Sequence, residues 1–151
     1  GILVPNRSTT TSRPQYGVNV GAMLGSELAF GAYYFASRKD EAGTQGKFDL
    51  EFYGVEGTFH FEGEAKGAYF GGRLGLSKMA YGLEPNQVSA SPFHIGVIGG
   101  YNYWLAKSLS IGGEIGLYSV TKAEATSLSG TTVAVDRFSV LNFLATIKLW
   151  L

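Results

Sequence analysis

The sequence predicts an all-β protein, an antiparallel up-and-down transmembrane β-barrel of eight strands that forms one domain over residues 1–151. Three observations lead to this prediction. Apolar and polar residues alternate with a period of two, the alternating segments are longer than soluble strands, and short and long connections follow one another in turn.

The alternation is clearest in four segments, residues 55–61, 93–103, 109–118 and 141–151. In the first, Val55, Gly57, Phe59 and Phe61 are interleaved with polar side chains. Successive side chains of a strand point to opposite faces, so each segment has one apolar and one polar face. No helical period competes with this pattern.

Turn residues divide the chain into seven clear strands. We expect them at residues 14–24, 27–38, 47–61, 67–79, 91–104, 108–122 and 132–151. Soluble strands usually have about five or six residues, whereas a tilted strand needs about 9 to 11 residues to cross a bilayer. The strand lengths therefore favour a membrane barrel.

The connections differ in length in a regular order. Short ones are expected at residues 25–26, 62–66 and 106–107, and longer polar ones at 39–46, 81–90 and 123–131. Bacterial barrels have short periplasmic turns and long extracellular loops. This order predicts that the chain ends at the periplasmic rim.

An even strand number requires one further strand, because bacterial single-chain barrels have even counts. The only candidate is residues 1–7, where Ile2, Leu3 and Val4 begin a strand. Pro5 lacks an N–H donor, which suits an edge, a bulge or a strand end. Eight strands is the resulting prediction, and residues 8–12 are expected to form a polar loop.

Composition excludes several other classes. Twelve basic and twelve acidic residues balance, without a long run of one sign, so nucleic-acid binding is not expected. The absence of cysteine excludes a disulfide scaffold and thiol chemistry. No apolar run reaches the length of a transmembrane helix, and residues 1–13 contain no pattern of a signal peptide. No cofactor is expected.

Aromatic and glycine residues fit a narrow barrel in a bilayer. Glycines inside strands relieve crowding and permit coiling. Aromatic side chains near strand ends are expected to form two girdles at the level of the lipid headgroups. The girdle residues are Tyr101, Tyr103 and Trp104 with Trp150 at one rim, and Tyr33 and Tyr34 at the other.

Several polar residues fall on the face that points into the barrel. We expect an interior polar network formed by Glu56, Arg73, Glu114, Lys148, His60 and His94. Buried charges need partners, so Arg73 should bridge Glu56 or Glu114 and help to fill the lumen. Neither histidine lies in a motif with a nucleophile or with a carboxylate at metal-ligand spacing, so we expect neither an enzyme nor a metal site.

Two parts of the chain resemble small outer-membrane barrels of the OmpW and OmpA/OmpX type. One is the hairpin Val-Glu-Gly-Thr-Phe-His-Phe at 55–61 followed by Ala-Tyr-Phe-Gly-Gly-Arg-Leu-Gly-Leu at 68–76, and the other is the alternating end Ile-Lys-Leu-Trp-Leu at 147–151. The final Leu151 stands where the family usually has Phe. The resemblance implies eight strands, a place in the cell outer membrane and recognition by the barrel-insertion machinery.

The expected function is that of an integral outer-membrane barrel with a filled polar interior, which anchors, or contacts another molecule through its extracellular loops. Its expected partner is membrane lipid; the sequence names no loop partner. Two alternatives remain open. One is a narrow channel for small hydrophobic molecules, and the other is a soluble lipocalin-like barrel that binds a ligand with its apolar face inward.

Overall fold

The computed structural model describes residues 2–4, 11–12, 15–40, 47–82, 88–127, 130 and 132–151. The described residues form twelve β-strands. They are β1 (Ile2–Val4), β2 (Thr11–Ser12), β3 (Tyr16–Leu24), β4 (Leu28–Asp40), β5 (Lys47–His60), β6 (Gly67–Gly82), β7 (Val88–Ala90), β8 (Phe93–Ala106), β9 (Leu109–Val120), β10 (Ala123–Ser127), β11 (Thr132–Val135) and β12 (Phe138–Trp150).

The long strands close into a barrel. Its order is β3, β4, β5, β6, β8, β9 and β12, with β12 pairing back onto β3. Six of the seven pairs of adjacent strands are antiparallel. The seventh pair, β12 and β3, is parallel, from Thr146 opposite Gly17 to Trp150 opposite Gly21. The all-β barrel predicted from the alternation is confirmed.

The described barrel closes with seven strands rather than the predicted eight. The expected first strand is short: β1 covers Ile2–Val4, while residues 1 and 5–7 lie outside the described part, as do residues 8–10 of the expected polar loop. β1 pairs with β12 only at Ser139, Val140 and Leu141. Below that point β3 takes its place beside β12, and this direct pairing removes one strand from the count.

Burial follows the period-two alternation along the barrel strands. In β8 the odd-numbered side chains from Phe93 to Tyr103 point outward, and the even-numbered ones from His94 to Asn102 point into the lumen. β9 and β12 show the same alternation, with Glu114 and Lys148 inside and Ile115 and Ile147 outside. The polar face of the sequence is therefore the inside of the barrel.

We call the rim that carries the short turns the lower end, and the opposite rim the upper end. The lower turns lie at residues 25–27, 61–66 and 107–108, close to the expected positions, and Trp150 is at the same end. The turn at 61–66 crosses the lower mouth. The buried carbonyl oxygen of Ala65 accepts hydrogen bonds from Asn102 Nδ2 at 3.2 Å and Trp104 Nε1 at 3.1 Å.

The upper connections contain strands where the sequence predicted only loops. β4 continues to Asp40, and the predicted loops 81–90 and 123–131 contain β7 and β10. The segment 132–151, predicted as one strand, is divided into β11 and β12. β7, β10 and β11 extend the sheet above the barrel, with β7 between β6 and β10. Residues 41–46, 83–87, 128–129 and 131 of the predicted loops lie outside the described part.

Two glycines that face the lumen make room for one tyrosine. A Cβ at Gly116 would approach the Tyr118 ring at 2.6 Å, and a Cβ at Gly96 would collide with the same ring. Gly113, also in β9, points outward, and a Cβ there would meet nothing within 4 Å. The inward glycines thus allow a large ring inside a narrow tube.

We expect Gly116→Ala to destabilise the folded barrel by about 1–3 kcal/mol, because the added methyl group forces the Tyr118 ring out of its position. Gly113→Ala is the matched control, since it adds the same methyl group to the same strand in open space. Urea unfolding followed by tryptophan fluorescence measures both. Equal destabilisation by the two substitutions would contradict the packing role of Gly116.

Candidate functional site in the barrel interior

The centre of the lumen holds a buried ionic cluster around Arg73. Arg73 on β6 donates from Nε to Glu56 Oε2 at 2.7 Å, and its Nη2 lies 2.6 Å from the same oxygen. It also donates to Glu114 on β9 through Nη1 at 2.5 Å and Nη2 at 3.0 Å. The sequence predicted a bridge to one carboxylate, and the structure places Arg73 between both.

Two further strands contribute to this cluster. Asn19 on β3 donates to both oxygens of Glu56, at 3.0 and 2.9 Å. Lys148 on β12 has its Nζ 3.9 Å from Glu56 Oε1 and 3.7 Å from Glu114 Oε2. All five side chains are at least nine-tenths buried. Two carboxylates and two cations therefore balance in charge, and the cluster connects strands around most of the barrel.

Tyrosine side chains complete the surroundings of the charges. Tyr69 donates its hydroxyl to Glu114 Oε2 at 2.7 Å, and the Tyr118 hydroxyl accepts from Arg73 Nη1 at 2.6 Å. The Lys148 ammonium lies 4.0 Å from the Tyr69 ring centroid, and the Arg73 guanidinium lies 4.5 Å from that of Tyr33. The predicted interior network included neither Tyr69 nor Tyr118. Their even spacing from Arg73 and Glu114 along the same strands was the signal that places them inside.

The two histidines lie in the lumen but hydrogen-bond outside the Arg73 cluster. His94 bonds Ser77 Oγ through Nδ1 at 2.9 Å, and its Nε2 bonds the hydroxyl of Tyr33. His60 bonds Thr58 Oγ1 through Nε2 at 3.0 Å, closer to the lower end. The predicted single network is thus divided. His94 lies above the charges and His60 below them.

Around and above His94 the lumen is lined largely by apolar side chains. A buried cluster at this level includes Phe35, Leu50, Phe52, Met79, Val120 and Val140. Phe35 and Phe52 are stacked, with their ring centroids 4.7 Å apart. Below the charges, Ala29, Ala65 and Trp150 form a second buried cluster, against which Trp104 packs. Among the described lumen residues, the charged cluster therefore lies between two mainly apolar ends, with a histidine and its hydroxyl partner on either side.

The outer surface of the barrel is apolar. Its exposed side chains include Val18, Phe30, Val55, Leu74, Val97, Ile115, Phe143 and Ile147. The charged residues among the described outward side chains of the seven barrel strands are Asp49, Glu51 and Lys78, all toward the upper end. The strands thus present a continuous apolar belt, which we call the outer belt.

The predicted aromatic girdle is wrong at two positions. Tyr33 is only 3% exposed and Trp150 only 7%, because both point into the barrel. Tyr33 and Tyr34 are adjacent, so they face opposite sides, and only Tyr34 is outward. Trp150 shares the parity of Lys148 and Asn142, and its Nε1 donates to Ser110 Oγ at 2.9 Å. Tyr101 and Tyr103 are exposed, while Trp104 is partly buried at the lower mouth.

Some buried polar atoms have no hydrogen-bond partner within the described structure. On the inner face of β12 they are Oδ1 and Nδ2 of Asn142 and Oγ1 of Thr146. Lys148 Nζ also makes no hydrogen bond, although it has the two longer ionic contacts. Unpaired buried polar groups are costly. Four of the eight such atoms in the described structure lie on β12, and the others are Gln15 Oε1, Ser37 Oγ, His60 Nδ1 and Asn102 Oδ1.

The described residues contain no group of three metal-binding side chains and no helix that is long and apolar enough to cross a bilayer. Comparison of the chain with protein-family models, with curated proteins and with solved structures found no match.

We expect Arg73→Met to destabilise the barrel by about 3–5 kcal/mol, because it leaves two buried carboxylates with Lys148 as their remaining cation. Lys66→Met is the control: it removes an exposed pair with Glu64, worth at most about 1 kcal/mol. Denaturant unfolding measures both variants. Similar stabilities for Arg73→Met and the unchanged chain would contradict a structural role for the cluster.

Proposed function

We propose that this protein is an integral outer-membrane β-barrel with a filled interior, which acts as an anchor or as a surface-contact protein through its upper connections. The outer belt is the observation that carries the proposal. Its side chains are apolar and exposed on a barrel whose lumen holds the charged groups. Such an arrangement is stable where lipid, rather than water, surrounds the strands.

The height of the outer belt supports this environment. On β8 it extends from Phe93 to Leu105. Twelve steps along a strand rise about 40 Å, or about 30 Å along the barrel axis at a tilt of about 40°. The hydrocarbon core of a bilayer is about 30 Å thick. By the resemblance of the sequence to outer-membrane barrels, the lower end and the C-terminus would be periplasmic and the upper connections extracellular.

The interior supports a filled barrel without an enzymatic role. The Arg73 cluster extends across the lumen, and the layers above and below it consist of packed side chains. Ser77 and His94 are fully buried. One ring nitrogen of His94 is hydrogen-bonded to Ser77 and the other to the hydroxyl of Tyr33. A nucleophile in catalysis needs access to its substrate. The proposal therefore assigns these side chains to structure.

The upper lumen favours one second candidate, a channel for small hydrophobic molecules. The sequence offered few apolar lumen residues, whereas the structure adds Phe35, Leu50, Phe52 and Val140 to Met79 and Val120. An apolar molecule would enter from the upper end and leave sideways. Uptake of an apolar fluorescent probe into liposomes, with and without the inserted chain, tests it. Equal uptake would contradict the channel.

The soluble lipocalin-like alternative is not proposed, since it requires the opposite assignment of faces. The outward side chains of the described barrel strands are almost all apolar, and the charged ones among them, Asp49, Glu51 and Lys78, lie toward the upper end. A protein surface in water needs a substantial charged fraction.

Folding in detergent or liposomes, detected by a different gel mobility of unboiled and boiled samples, tests the membrane proposal. A monodisperse folded chain in plain buffer would overturn it.

The outer belt also yields a depth-dependent prediction for folding into lipid vesicles. Val97→Arg, near the middle of the belt, should cost about 2–4 kcal/mol, because it places a charge in the hydrocarbon core. Leu105→Arg, at the lower end of the same strand, should cost about 0–1 kcal/mol, because the charge reaches the interface. Val97 and Leu105 are both exposed, 63% and 55%. Urea titration in vesicles compares them, and equal costs would contradict the bilayer placement.

A further inference from the structure

The seam between β3 and β12 differs from the rest of the barrel. It is the parallel contact in a wall that is otherwise antiparallel, and it covers only the five pairs from Thr146–Gly17 to Trp150–Gly21. In the described structure, residues 142–145 of β12 pair with β9 on one edge and have no strand partner on the other. Parallel pairing is slightly less stable per residue than antiparallel pairing.

Above the seam the wall already has an additional strand. β1 lies antiparallel to β12, with Ile2 opposite Leu141, and antiparallel to β2, with Ile2 opposite Ser12. β2 precedes β3 in the chain, so β1 is inserted between the upper part of β12 and the strand that leads into β3. Above the seam β1 therefore lies between β12 and β2, whereas at the seam itself β12 pairs directly with β3.

The registers of these pairings agree. The β1–β12 register, continued downward, places one residue of a lengthened β1 opposite Ile147. The β1–β2 register, counted on along the chain into β3, places the same residue opposite Val18. Ile147 and Val18 are direct partners across the seam. A strand in line with β1 could enter between them without any shift of β3 or β12 along their axes.

Several of the unpaired polar atoms of the described structure lie beside the seam. Asn142 and Thr146 point inward from β12 with unpartnered side-chain atoms, and Gln15 Oε1, just before β3, is also unpartnered in the described structure. Asn142 is completely buried. Inward polar side chains on an added strand would lie beside these groups and offer them hydrogen bonds.

We propose that the seam accepts one further extended strand, in line with β1 and antiparallel to both β3 and β12, which converts the barrel from seven to eight strands. The five parallel pairs are replaced by two antiparallel ladders. Eight residues joined before Gly1 would bring this strand opposite Trp150 by the register of β1. The inference concerns closure of the barrel and does not depend on the role proposed for the upper connections.

The geometry specifies the sequence that this strand needs. Counted from Gly1 backward, the second, fourth, sixth and eighth added residues would face inward beside Leu144, Thr146, Lys148 and Trp150, and the others would face outward. The inward residues should be polar and the outward ones apolar. A control extension with the same residues in the opposite alternation places polar groups outside and apolar groups inside.

Cross-linking tests the proposal, because the chain contains no cysteine of its own. Val18→Cys and Ile147→Cys are outward, exposed direct partners across the seam. An inserted strand would separate them to about 10 Å, beyond the disulfide limit of about 7 Å between Cα atoms. Leu117→Cys with Leu141→Cys, on the β9–β12 pair, is the control that insertion leaves in place.

The unextended chain, the extended chain and the control extension are folded in detergent micelles and oxidised. We expect the Val18–Ile147 disulfide to fall at least about tenfold in the extended chain alone, because the strand spacing doubles. A cysteine at the fifth added residue, opposite Ile147, should cross-link to Ile147→Cys instead. If only the extended chain folds, and the unextended chain and the control extension do not, that result also supports the proposal.

An undiminished Val18–Ile147 disulfide in the extended chain would overturn strand insertion while leaving the membrane proposal intact. Folding of the three chains without detergent would contradict the membrane proposal, and the disulfide yields would still decide strand insertion. Absence of a folded state in every condition would contradict both.

Discussion

Arg73 lies between two carboxylates at the centre of the lumen, and the arrangement of the other interior side chains depends on that contact. Its guanidinium donates hydrogen bonds to one oxygen of Glu56 and to both oxygens of Glu114. These charge-assisted hydrogen bonds link β5, β6 and β9. Desolvation makes an isolated buried charge very costly. Asn19 and Lys148 bring β3 and β12 to the same cluster, which includes the two strands that close the barrel.

The size of the lumen explains the alternation of large and small residues around this cluster. Tyr118 and Tyr69 reach the charges from opposite sides, and glycines at positions 96, 100 and 116 provide the space for their rings. Inward side chains of a narrow barrel must fill it without overlap. The same constraint places apolar residues above and below the charges, where no charged partner is available.

Closure of the barrel gives most strands a hydrogen-bonded neighbour on both edges but leaves a weaker seam between β3 and β12. β12 has antiparallel β9 along its entire length on one edge, while on its other edge it meets β1 above and β3 below. Parallel neighbours in a sheet usually need a long crossover connection, and here the series of barrel strands from β4 to β9 lies between the parallel partners β3 and β12. The unpartnered groups of Asn142 and Thr146 occur on this strand, where the pairing changes from one neighbour to the other.

The sequence alone determined which face of each strand points inward, because the period of two depends only on local backbone geometry. On that basis Glu56, Arg73, Glu114 and Lys148 could be assigned to the interior. The same rule assigns Tyr33 and Trp150 to the interior, and the girdle prediction failed there because position along the strand was used instead of parity. The short lower turns were also predictable, since turn residues act locally.

Tertiary structure alone decided the strand count, the upper sheet and the choice of partners. β1 and β3 both present an edge to β12, and whether β12 pairs with one or the other depends on contacts between residues far apart in sequence. Arg73 could be assigned to the interior, but the position of Glu114 beside it depends on the stagger of β6 and β9 across the lumen. Local periodicity therefore sets the two faces, whereas long-range pairing sets the closure and the contacts inside.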